Sequence, residues 1–135
     1  MISRNWLGVL AVALLVAGCD HATAPSLVTE GIIVFADREF SGTFKLFISD
    51  VKDLEDVDGG CLDGGSATSA GDIDWGDCVS SIRIAPGWKA TIYKDDSYEG
   101  KSLTITSDVA NLKNLPGPCG DDWDDCVSSI RVSRQ

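Results

Sequence analysis

The chain repeats itself, and that limits its fold more than any other feature. Phe35-Ala-Asp-Arg-Glu-Phe40-Ser-Gly42 lies over Tyr93-Lys-Asp-Asp-Ser-Tyr98-Glu-Gly100, at an offset of 58 residues. The same offset carries Ser49-Asp50-Val51 onto Ser107-Asp108-Val109, Leu54 onto Leu112 and Cys61 onto Cys119. Further on, Trp75-Gly-Asp-Cys-Val-Ser-Ser-Ile-Arg-Ile84 lies over Trp123-Asp-Asp-Cys-Val-Ser-Ser-Ile-Arg-Val132, now at an offset of 48. The first copy thus holds ten extra residues between Cys61 and Trp75, of loop composition around Leu62-Asp-Gly-Gly-Ser-Ala-Thr-Ser-Ala-Gly71. One supersecondary unit, used twice, accounts for most of the chain.

Each copy reads as strands. Ile32–Phe35 and Ala90–Tyr93 are rich in β-branched and aromatic residues. Leu103–Thr106 alternates with period two, as do Val79–Ile84 and Val127–Val132. In the last two, Val, the second Ser and Arg are expected on one face, and the first Ser and the Ile residues on the other. A short turn is expected near Val51–Leu54 and Val109–Leu112. Four short strands per copy, joined by Gly-rich turns and one long connection, predict an all-β sandwich of two Greek keys.

Ahead of the repeat, residues 1–18 have the make-up of an export signal. Arg4 gives a short positive region, and Trp6–Ala17 is an apolar run too short for a permanent membrane span of about 20 residues. Val16-Ala17-Gly18-Cys19 resembles a lipobox, which implies a lipid on Cys19. The expected organisation is a signal at 1–18, a lipid-anchored tether at 19–30 and one domain at 31–135, divided into Greek keys at 31–86 and 87–135. The expected location is the bacterial cell envelope, on its periplasmic or extracellular face. Asp20 resembles an inner-membrane retention signal of some Gram-negative bacteria.

The net charge is −10. Nucleic acid is not an expected partner, because phosphate binding needs Lys and Arg in excess; cations are. With Cys19 given to lipid, Cys61, Cys78, Cys119 and Cys126 remain, and an even count in an exported domain implies two disulfides. No closely spaced Cys pair suggests zinc. All three possible pairings respect the two-fold repeat. Local closure favours Cys119–Cys126 and Cys61–Cys78, which form the shorter rings.

Aromatic-x4-aromatic-x-Gly, followed by Trp and then Asp-Asp-x-x-Ser-Ser, resembles the βγ-crystallin family; both motifs occur twice and in order across residues 31–133, the first copy with Gly76 in place of the first Asp. Read without the family, Phe35, Phe40, Tyr93 and Tyr98 bracket a folded hairpin. Gly42 and Gly100 stand where φ is positive or where a side chain would meet the aromatic ring. Trp75 and Trp123 read as core. Asp124, Asp125, Ser128 and Ser129 crowd the entrance of a strand. Turn chemistry and calcium ligation both account for them.

The resemblance tips this reading to calcium. Calcium-binding members build each site across the two copies. Carried over, one site would use Asp125, the carbonyl of Cys126 and the hydroxyl of Ser128, with the carbonyl of Ala36. The other would use Asp77, the carbonyl of Cys78 and the hydroxyl of Ser80, with the carbonyl of Lys94. The family pattern wants Asp or Asn where Gly76 stands. Up to two Ca2+ ions are therefore expected, with the Asp77/Ser80 site the weaker.

Other chemistries fare worse. Leu54–Gly59 fails as an EF-hand: Leu54 occupies the first ligand position, and Gly65 stands where Glu is needed. The only histidine, His21, lies in the tether, so no Ser–His pair forms inside the domain, and no enzyme is expected. The alternative is a proteinase inhibitor of the same fold with residues 62–71 as its reactive loop, although Gly-Gly-Ser-Ala-Thr-Ser has no bulky or basic residue to fill a specificity pocket.

Overall fold

The computed structural model describes residues 27–62 and 73–135. The signal, the lipobox, most of the tether and nearly all of the proposed reactive loop lie outside them. Among the described residues nine strands follow in order: β1 (Ile32–Phe35), β2 (Phe44–Phe47), β3 (Asp58–Leu62), β4 (Ile73–Asp74), β5 (Ser81–Ile84), β6 (Trp88–Tyr93), β7 (Ser102–Ile105), β8 (Pro116–Cys119) and β9 (Ser129–Arg134). Short 3-10 turns stand at Asp96–Tyr98 and Leu112–Asn114. Among the described residues no helix is long and apolar enough to cross a membrane.

The sheets reproduce the repeat. One has the order β2-β1-β5, the other β7-β6-β9, and all pairs are antiparallel. β3 and β4 form a separate small hairpin.

At the turns expected near Val51–Leu54 and Val109–Leu112, each copy makes a one-residue bridge to the other copy. Val51 of the first copy pairs with Ile130 of the second, and Val109 of the second with Ile82 of the first. A side chain extends each short pairing. Val132 donates its N–H to Asp50 Oδ1 at 2.8 Å, and Ile84 donates to Asp108 Oδ1 at 2.8 Å. The two copies are therefore interlocked, and neither sheet is complete without the other copy.

Two apolar layers result. Ile32, Val34, Leu54, Trp75, Val79 and Ile82 of the first copy meet Ala90, Ile92, Leu112, Trp123, Val127 and Ile130 of the second. β1 is buried on both faces: Ile33 and Phe35 join Val28 and Ala85 in a second cluster on its outer side. Val28, assigned by sequence to the tether, is 8% exposed and belongs to the fold.

The expected alternation in Val79–Ile84 breaks down. Val79, Ser80, Ser81 and Ile82 are all buried. Ser81 is held under a hairpin, and the Arg83 guanidinium lies 4.3 Å over the Phe40 ring. Arg131 sits likewise 4.0 Å over Tyr98.

The two bridges favoured by closure are formed. Cys61–Cys78 has a Cα separation of 5.5 Å and Cys119–Cys126 one of 5.8 Å, within the usual range for disulfides.

Candidate cation site

Each site begins at a folded hairpin. After β1, Ala36 donates its N–H to Thr43 O and Asp37 to Ser41 O; after β6, Lys94 donates to Lys101 O and Asp95 to Glu99 O. Glu39, Phe40, Ser97 and Tyr98 take left-handed backbone, with φ of 56, 57, 54 and 62°. Such conformations persist only where their surroundings hold them.

The second serine of each Ser-Ser does the holding. Ser81 Oγ donates to Asp37 O at 2.6 Å and accepts from Phe40 N–H at 3.1 Å; Ser129 Oγ treats Asp95 O and Tyr98 N–H the same way, at 2.7 and 3.0 Å. The aromatic pairs close over this pin edge to face, with ring centroids 5.7 Å apart for Phe35–Phe40 and 5.8 Å for Tyr93–Tyr98. Gly42 and Gly100 do have positive φ, 78 and 75°. A side chain there would first meet the carboxylates of Asp37 and Asp95.

The first serine of each pair has a different position. Ser80 donates its N–H to Phe35 O and Ser128 to Tyr93 O, each at 2.9 Å. Each serine therefore lies beside the residue that opens its own copy's hairpin, Ala36 or Lys94. The aspartate comes from the other copy. Asp77 and Asp125 share a left-handed backbone, φ 50° at each, which Asp tolerates better than most residues. Asp77 N–H donates to Val127 O and Asp125 N–H to Val79 O, each at 3.2 Å.

The two loops thus cross. Ser80 Oγ donates to Asp125 Oδ1 at 3.4 Å, and Ser128 Oγ to Asp77 Oδ1 at 3.5 Å. The chain places Ala36, Ser80 and Asp125 together, and Lys94, Ser128 and Asp77 together. The eight residues read from sequence all belong to this region, but the serines are exchanged relative to the expected grouping: Asp125 does not share a group with Ser128, nor Asp77 with Ser80. The crossing of the loops is the physical reason. Cys78 and Cys126 are buried, and their carbonyls lie on the chain between the Asp and Ser of each loop. The role of Ser81 and Ser129 escaped the sequence reading; the doubling of serine in both copies was its only signal.

The donors are hard oxygens: carboxylate, hydroxyl and backbone carbonyl. They suit calcium better than a softer ion. Among the described residues no three of His, Cys, Asp and Glu gather as a ligand cluster, so carbonyls and hydroxyls would have to complete either shell. Two observations mark unmet charge. Asp124 Oδ1 is buried and has no hydrogen-bond partner among the described residues. Burial, followed by the neighbouring Asp124, pushes the Asp125 carboxyl up from its ordinary value, while the Ser80 hydrogen bond and Arg38 pull it back. A bound cation would relieve both.

No protein-family model and no curated protein matches the chain. Solved structures do. A βγ-crystallin domain from Flavobacterium johnsoniae is 32% identical, with a TM-score of 0.53, over 77% of this chain and 94% of that one. A structure from work on the evolution of the eye-lens βγ-crystallin domain fold shares 21% identity at a TM-score of 0.61, over 84% and 95% of the two chains. A clostrillin double mutant in complex with nickel is 18% identical, with a TM-score of 0.53, over 77% and 98%. The last two speak to the fold alone; the Flavobacterium domain, with the doubled motifs and the interlocked sheets, makes this chain a member of the βγ-crystallin family.

Proposed function

We propose that the chain is a non-enzymatic calcium-binding module carried by a bacterial envelope lipoprotein. The observation that carries this reading is the reciprocal pair Asp77–Ser128 and Ser80–Asp125, each set beside the residue that opens a folded hairpin. A carboxylate and a hydroxyl from different copies meet at each place, and each serine is hydrogen-bonded to the residue before Ala36 or Lys94, whose carbonyl is the proposed further ligand. Packing alone gives little reason to gather such groups at the end of a buried strand. The lipobox supplies the display: Cys19 is the proposed lipid attachment, and the module faces the outer side of a membrane, where calcium reaches millimolar levels and modest affinity suffices.

Calorimetric titration of residues 20–135 with calcium tests the proposal. Uptake of up to two ions is expected, together with a rise in melting temperature. Calcium that binds only the folded state adds about 2.7 kcal/mol at a hundred times Kd. No heat and no thermal shift would remove the reading.

A further inference from the structure

We infer that the two cation sites are unequal and that Glu55 decides their order: its carboxylate replaces at the Asp77–Ser128 pair the side chain that Gly76 lacks, and makes that pair the stronger site. The inference rests on the calcium reading above.

The repeat sets the comparison. Gly76 corresponds to Asp124, Glu55 to Lys113, Asp53 to Asn111 and Asp96 to Arg38. Both loops turn in the same way, since Gly76 N–H donates to Asp74 Oδ1 at 2.8 Å and Asp124 N–H to Asp122 Oδ1 at 2.9 Å. Their surroundings differ. A side chain at Gly76 would collide with Glu55, whose Cγ lies 2.6 Å from where the new Cβ would stand. The space that Asp124 fills with its own carboxylate in one copy is filled by Glu55 in the other. Where Glu55 stands in the first copy, the second has Lys113, which leaves Asp124 as the local acid there.

The charges around the two pairs differ. Ser128 shares one depression with Asp53, Glu55, Asp95, Asp96 and Glu99. The Glu55 carboxyl is raised from its ordinary value by Asp53 first, then by slight burial and by Asp74, Asp77 and Asp96. Its charge is therefore felt at Asp77. At the other pair Arg38 Nε stands 3.9 Å from Asp124 Oδ2, so a guanidinium already offsets part of that acid. Ser80 there is 5% exposed. Each side has one resident cation, Lys94 with its Nζ 3.6 Å from Asp95 Oδ1 and Arg38 beside Asp124, but more carboxylates gather around the Asp77–Ser128 pair. The order expected from Gly76 alone is thereby reversed.

The test is a calcium titration of the full chain in detergent at low ionic strength, comparing the parent with Glu55→Gln, Ser128→Arg and Arg38→Asp. The parent should show two classes of site. Ser128→Arg should remove the tighter class. Glu55→Gln should weaken that class by at least about fivefold, the pull of one unit charge on a divalent ion through water over about 8 Å, and leave the weaker class in place. Arg38→Asp, which copies Asp96, should tighten the weaker class. An unchanged tighter class in Glu55→Gln, survival of that class in Ser128→Arg, or two equal sites in the parent would overturn the inference while leaving the calcium reading intact. A parent that takes up no calcium would overturn both. Glu55 is exposed and crowded by like charge, so calcium-free Glu55→Gln should be at least as stable to unfolding as the parent, which excludes misfolding as the cause of any loss.

Discussion

Two serines that differ by one position in sequence have separate tasks. Ser80 and Ser128 face the sites, whereas Ser81 and Ser129 pin the hairpins. Substitution separates the two. Ser81→Ala leaves Phe40 N–H without its acceptor in a half-buried setting, at a cost of about 1–3 kcal/mol. Denaturant unfolding without calcium should reveal this, and Ser129→Ala should behave alike. Ser80→Arg and Ser128→Arg should each abolish one ion and leave the other, as counted by calorimetry. The Asp125 carboxyl adds a pH dependence. Its raised value means that the calcium-free fold holds a proton more readily than the unfolded chain, so its contribution to stability is lost as pH rises through that value. Calcium removes the penalty. The gain in melting temperature on adding calcium should therefore grow from about pH 4 to about pH 7, the span above ordinary carboxylate values. A gain that shrinks over this range would contradict the assignment of Asp125.

Among the elements, the crossing segments hold the two copies together. Asp50 and Asp108 receive the N–H groups of Val132 and Ile84. Each carboxylate extends a pairing that the backbone makes only once, between Val51 and Ile130 or Val109 and Ile82. Asp50→Ala or Asp108→Ala should lower stability by about 1–3 kcal/mol by leaving a half-buried N–H unsatisfied, measurable as a drop in denaturant midpoint without change of slope. The bridges act on the loops. Replacing Cys119 and Cys126 by Ser together should cost about 2–4 kcal/mol and loosen the loop that carries Asp125. A stability unchanged within error would show that the loop is braced by packing alone.

For the whole molecule, the repeat in the sequence already implied two Greek keys, the core tryptophans and both bridges, since each follows from local pattern or short closure. The exchange of partners did not. Ser80 meets Asp125 across 45 residues and Ser128 meets Asp77 across 51, and a local motif cannot say which copy's loop faces which. The one-residue crossing strands were hidden for a related reason: side chains of Asp50 and Asp108 replace ladder bonds, and period-two patterning has nothing to register there. Gly76 read as a defect because its replacement, Glu55, lies 21 positions earlier in the chain. Envelope display is an independent claim. Cys19→Ala should move the protein from the membrane fraction to the soluble one, and a variant that stays with membranes would contradict the lipid anchor.

A crystal structure of the domain grown with calcium tests the central claim most directly. The account predicts an ion at the Asp77–Ser128 pair, and at Ser80–Asp125 at higher calcium, with oxygens about 2.3–2.6 Å away drawn from both copies at each. Ions bound elsewhere, or an Asp and a Ser of the same copy on one ion, would contradict it.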